Sequence, residues 1–132
     1  LLSHNKFSFI NLKYSVSMDE LRSKGAITQN LLDTGFLDQK DDLDGVAALI
    51  SNLDYVISAS SSPSMFGSAL GIPTLIFGRK SLNYLGRSKK FAQHPIFKNT
   101  KLYPILDAES DKHLVPEITK FLEKELLETL KA

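Results

Sequence analysis

The sequence predicts an α/β domain: a doubly wound, mostly parallel sheet of about five strands with helices on both faces. Three observations lead there. "DYVISAS" and "PTLIFG" are short, continuous apolar runs of the kind that sit buried on both faces of a parallel sheet. Stretches with helical apolar spacing alternate with such runs along the chain. A length of 132 residues, 42% of them hydrophobic and 23% charged, suits one domain with one core.

Taken in order, "FSFINLKY" predicts a strand over about 7–13. "SVSMDELRSKG" follows as a short helix over about 18–24. Ser17 and Glu20 have capping-box spacing, Val16 and Leu21 form the staple, and Gly25 ends the turn. "QNLLD" predicts a short strand near 29–32. Asp42 then caps a helix whose apolar face is Leu43, Val46, Ala47, Ile50 and Leu53. Between the strands of "DYVISAS" and "PTLIFG" lies a short helix with Ser62 as N-cap, Pro63 at the first helical position and Gly71 just past its end. "TKLYPIL" is the fifth strand, and its Pro104 suits an edge or a strand end. A helix over about 114–130 closes the chain. Its apolar face holds Leu114, Ile118, Phe121, Leu122 and Leu130, with Pro116 in the first turn. There is no internal repeat, low-complexity tract or linker.

Composition excludes several function classes. A net charge of +1 rules out a generally basic nucleic-acid binder, and no apolar run approaches the roughly 18 residues of a membrane helix. The absence of cysteine leaves no disulfide framework and no thiolate metal site, which suits a cytoplasmic protein. His4, His94 and His113 have no metal-ligand spacing, so neither metal nor cofactor is expected. No glycine-rich dinucleotide or P-loop motif and no nucleophile elbow is present. Asp41, Asp42 and Asp44 read as capping and dipole complementation ahead of "VAALI", not as paired catalytic acids. The start, "LLSHNKFSFINL", has no initiator Met and no signal-peptide pattern, and reads as an interior start of a longer protein. Charge is uneven. Residues 78–101 hold Arg79, Lys80, Arg87, Lys89, Lys90, Lys98 and Lys101 and no acid, a stretch that is either a solvated loop or an attractor of anions.

The serines of "VISASSSPSMFGSALG" stand between a strand and a helix. In a parallel sheet, ligands collect outside the carboxyl ends of the strands. Ser60, Ser61 and Ser62 therefore meet a helix N-terminus whose N–H groups and positive dipole end suit phosphate. Gly67 and Gly71 would let that helix lie close to the sheet. The plainer reading is that Ser62 only caps and its neighbours only turn the chain. The pattern by itself leaves both open. Met65 is expected in the core.

The stretch "DLDGVAALISNLDYVISASSSPSMFGSALGIPTLIF" resembles the Rossmann-like, donor-binding half of GT-B glycosyltransferases. It is most similar to bacterial glycosyltransferase-like domains found behind tetratricopeptide repeats, and more distantly to heptosyltransferases. The likeness lies in Ala47–Ile50, Leu53–Asp54, Val56–Ile57 and Ala69–Pro73. "SLNYLGR" stands in the place of an aromatic-rich loop. "HPIFKNTKLY" resembles a Ser-Pro-Trp-Tyr-Pro segment, and "FINLKYS" resembles an opening strand in which Lys13 replaces the usual Gln. The likeness covers nearly the whole chain, but only 43–78 is distinctive.

This resemblance implies that Ser60, Ser61 and Ser62, with the N–H groups of Ser64 and Met65, face the diphosphate of a UDP-, GDP- or ADP-linked sugar. Gly78 to Tyr84 would border the sugar or base, with Arg79 or Lys80 neutralising phosphate and Tyr84 stacking on a ring. Lys13 joins the candidate nucleotide-binding positions. Two departures stand out: Ser60–Ser61 replaces an Asp-Thr or Asp-Ser pair, and Met65 replaces a His, so any proton transfer by that imidazole is absent. His94–Pro95 is similar to the His-Pro motif of bacterial sialyltransferases, but follows the serines instead of preceding them. The expectation is a donor-binding module, inactive without an N-terminal acceptor domain. The alternatives are a degenerate module serving protein–protein interaction and a GT-B-like sugar-nucleotide epimerase.

Overall fold

The computed structural model describes residues 7–12, 18–23, 31–32, 34, 37–78, 90–105 and 108–131. The chain forms two compact units, Leu1–Ala48 and Leu49–Ala132. It is α/β with mixed sheet character.

In the first unit, β1 (Phe9–Ile10) pairs in parallel with β2 (Leu31–Leu32), Phe9 opposite Leu31. The strand expected over 7–13 thus forms a ladder at two residues only. Helix α1 (Met18–Ser23) carries Asp19 and Glu20 in its first turn, where acids complement the dipole. Its expected cap Ser17 and stop Gly25 lie outside the described residues. Helix α2 (Leu43–Ser51), whose last residues from Leu49 on belong to the second unit, starts as its sequence predicts: Asp42 Oδ1 accepts from the Gly45 N–H at 2.9 Å. Val46 and Ile50 are buried, but Leu43, expected on the apolar face, is exposed. It is the first residue of the helix, where the apolar stripe has not begun.

In the second unit, β3 (Val56–Ala59), β4 (Thr74–Gly78) and β6 (Thr100–Pro104) run parallel, and β5 (Ala92–Gln93) lies antiparallel beside β6. The order is β3-β4-β6-β5. Among the described residues the strands form sheets of two and four strands, the larger one mixed, so the α/β class is present while a single, mostly parallel sheet of about five strands is not seen. The antiparallel β5 gives no sequence signal, since "AQ" is too short to show alternation. Pro104 closes β6, and the chain continues the ladder one residue later, with Ile105 N–H donating to the Gly78 carbonyl at 2.9 Å.

Side-chain alternation assigns the two faces of this sheet. Val56, Thr74 and Thr100 are in register and point toward α3 (Ser62–Ala69). A Cβ added to Gly67 would stand 2.5 Å from Thr74 Oγ1, and Thr100 Oγ1 donates to Ser68 Oγ at 2.7 Å. Lys101 and Tyr103 point the other way, to Glu125 and Glu117 of α4 (Ala108–Lys131). One helix thus covers each face. The core holds Val56, Leu75, Ile76, Leu102, Tyr103, Ile118 and Leu122, all buried.

Helix α4 begins earlier than its apolar face suggests. Pro116 consequently sits inside the helix and not in its first turn. There Pro116, which has no N–H, cannot donate to the Lys112 carbonyl. Among the described residues, no helix is long and apolar enough to cross a membrane.

Candidate functional site

The serine turn stands at the carboxyl end of β3, where the chain leaves Ala59 and enters α3. Ser60, Ser61 and Ser62 are all exposed. The N-cap is Ser61, with extended backbone (φ −157°, ψ −179°), so Ser62 opens the helix and Pro63 is its second residue. The expectation that Ser62 caps is corrected by its third neighbour. From Ser61 that neighbour is Ser64, which can reciprocate in a capping box; from Ser62 it would be Met65, which cannot. Ser64 is fully buried, and its Oγ accepts the Ser61 N–H at 3.0 Å while donating to the Ser61 carbonyl at 2.7 Å.

Met65 departs from both of its expected roles. Its N–H donates to the Ser61 carbonyl at 3.1 Å, the first helical bond, and so is not offered to a phosphate. Its side chain is 51% exposed, not in the core. Burial on this helix belongs instead to Ser64, Gly67 and Ser68, the small residues facing the sheet.

The hydroxyls at the corner partly occupy one another. Ser58 Oγ and Ser61 Oγ lie 2.8 Å apart, and each also approaches the Ala59 carbonyl, at 2.8 and 3.1 Å. Two hydroxyl protons serve these three contacts, so one contact always lacks a proton. An incoming acceptor oxygen can take a hydroxyl proton by rotation about one bond. The first turn of α3 carries no acidic residue to repel it.

Gly78 ends β4, beside β3 in the parallel ladder, and so shares the carboxyl edge with the serine turn. Arg79, Lys80, Tyr84 and Lys13 lie outside the described residues. Of the candidate positions, the structure therefore gathers Ser60, Ser61, Ser62, Ser64, Met65 and Gly78 around one corner.

At the far end of α3, Gly71 stands just past the helix, as its sequence predicts, and takes φ +79°, with Ile72 N–H donating to the Gly67 carbonyl at 2.9 Å and Gly71 N–H to the Ser68 carbonyl at 3.3 Å. It was also expected to permit close packing, but its Cβ position faces open space, so backbone conformation alone calls for glycine. Three features escaped the sequence reading. First, Asn99 Nδ2 reaches the Ile72 and Ser68 carbonyls at 2.7 and 3.2 Å, tying the helix end to the start of β6. The polar pair "NT" opening an apolar strand was its only signal.

Second, Tyr103 O–H donates to Glu117 Oε2 at 2.6 Å, and Lys90 Nζ meets Glu117 Oε1 at 2.9 Å. These two bonds, Tyr103 first, hold the Glu117 carboxyl below its ordinary range, while burial and then the Glu117 bond push the Tyr103 phenol up. Lys101 pairs with Glu125 at 3.1 Å. Lys90 and Lys101 are thus compensated by α4 and add little to an anion-attracting stretch. Phe91, at φ +58°, stacks on Phe121 with centroids 4.3 Å apart. An aromatic residue in the left-handed region is held there by its surroundings.

Third, His94 is a buried turn residue and not a free loop side chain. Its Nδ1 accepts from the Ile96 and Phe97 N–H groups at 3.0 and 3.2 Å, which requires a neutral ring, and burial lowers its pKa. Among the described residues, no group of three His, Cys, Asp or Glu side chains could hold a metal ion. No family model, no curated protein and no solved structure matches the chain.

Proposed function

We propose that this chain is a GT-B-like donor-binding domain whose serine turn receives the diphosphate of a nucleotide sugar. The β3–α3–β4 unit would then belong to a doubly wound, Rossmann-like sheet, and glycosyl transfer would require an acceptor-binding domain. The observation that carries this reading is the exposure of Ser60, Ser61 and Ser62 at the N-terminus of α3, directly outside the carboxyl end of a parallel strand. Arg79, Lys80 and Tyr84 complete the proposal as phosphate and ring contacts, and the ligand is a UDP-, GDP- or ADP-linked sugar. A cytoplasmic location fits such a donor.

Thermal-shift titration with UDP, GDP, ADP and CMP tests this. Stabilisation by a nucleoside diphosphate that exceeds that by CMP, and that falls several-fold in Ser60→Ala and Ser61→Ala, supports the reading. No stabilisation at millimolar ligand removes it.

A second reading is a catalytically degenerate interaction module. It is favoured by Met65, which replaces the family's histidine and stands exposed beside the corner. A sugar-nucleotide epimerase receives no support from an identified acid–base pair.

A further inference from the structure

His94 directly follows β5 and makes the bonds of an Asx turn. Its Nδ1 accepts from the N–H groups two and three residues on, Ile96 at 3.0 Å and Phe97 at 3.2 Å. An asparagine or aspartate oxygen ordinarily fills that place, and Asn-Pro or Asp-Pro starts such turns. Here the dipeptide is His94–Pro95. The substitution changes the chemistry. An amide oxygen keeps its lone pairs across the neutral and mildly acidic range, whereas imidazole loses its one acceptor when it takes a proton. Because Nδ1 faces both donors, the neutral ring carries its hydrogen on Nε2, and Nδ1 is where a second proton must go.

The base of the turn is held by groups that do not titrate. His94 N–H donates to the Thr100 carbonyl at 2.9 Å, and Thr100 N–H to the Phe97 carbonyl at 3.1 Å. Gln93 Nε2 donates to the same two carbonyls, Phe97 at 2.8 Å and Thr100 at 3.1 Å. Asn99 accepts the Thr74 N–H at 3.0 Å on the far side. Ile96 is 76% exposed, so N–H groups released at the tip meet water, and the tip can open while the base stays closed.

The groups around the ring supply no compensating charge. Thr100 faces α3, a helix without a charged residue. Lys98 of the turn is exposed, and Lys101 of β6 turns to Glu125 of α4 on the other face of the sheet. The Phe97 ring lies against the imidazole, with centroids 5.1 Å apart. Burial is what lowers the His94 pKa.

We propose that residues 94–97 form a pH-operated turn, in which a proton arriving at His94 Nδ1 releases the Ile96 and Phe97 N–H groups and opens the tip while β5 and β6 stay paired. The device is independent of the serine turn.

The test is an NMR pH titration of the whole 15N-labelled chain from pH 7.5 to 5, reading the His94 ring nitrogens and the Ile96 and Phe97 amides. Both amides should titrate with the midpoint of the ring, below the ordinary value of about 6.5. Their hydrogen-exchange protection factors should fall about tenfold or more over this range, while those of Ile76 and Leu102 hold. In His94→Asn, which keeps an acceptor and removes the titrating group, the two amides should keep their protection at pH 5. Amides that do not follow the ring overturn the proposal, as does a ring midpoint at or above 6.5. Equal loss of protection at Ile76 and Leu102, or an unchanged pH response in His94→Asn, overturns it too. The wild-type titration decides the matter by itself if that variant does not fold.

Discussion

At the scale of single residues, Ser64 is set apart from the exposed serines before it. It is buried and capped onto Ser61, whereas Ser60, Ser61 and Ser62 are exposed. Ser64→Ala should destabilise the fold by about 1 kcal/mol, within the range for lost N-terminal caps, measured by urea denaturation. Ser60→Ala, which removes an exposed hydroxyl, should leave the midpoint nearly unchanged while weakening nucleotide binding. His94 supplies a pH prediction. Its folded pKa is lowered, so below the ordinary value of 6.5 the unfolded chain binds the extra proton first. Stability from this residue is therefore full above about pH 6.5 and is lost as pH falls through the folded value. Denaturation midpoints from pH 7.5 to 5 should decline more steeply in the wild-type chain than in His94→Ala. Equal slopes would show that its ring does not titrate differently on folding.

At the scale of elements, α3 is fixed at both ends and along its buried face. Gly67 brings it against β3 and β4, and Gly67→Ala should cost about 1–3 kcal/mol by overpacking against Thr74 Oγ1 and Val56. Gly71→Ala meets open space and should cost only the strain of positive φ, about 1 kcal/mol. Comparing the two variants by denaturant midpoint checks this ordering. The boundaries of α3, β3, β4 and β6 were legible because apolar runs, a proline and a glycine mark them locally. The shift of the cap from Ser62 to Ser61 was not, because it depends on what stands three residues further on. Nor was β5, whose two residues are ordered by pairing with β6 and not by their own pattern. The start of α4 was missed because its first turns carry polar residues, while the apolar stripe begins later.

At the scale of the whole molecule, sequence pattern revealed the α/β class but not the division into two units or the separation of the sheets. Strand pairing is a non-local choice, and short strands such as "FI" and "LL" do not encode their neighbours. The basic stretch also changed meaning once folded. Lys90 and Lys101 are matched by Glu117 and Glu125 on α4, far away in sequence, so the proposed anion site rests on the serine turn and not on these two lysines. The functional account therefore reduces to whether phosphate oxygens bind outside β3. The most direct measurement is an NMR titration of the 15N-labelled chain with UDP and inorganic pyrophosphate. The account predicts saturable shifts centred on the amides of Ser60, Ser61 and Ser62 with both ligands. Unchanged signals at these positions, or shifts confined to other residues, would contradict it.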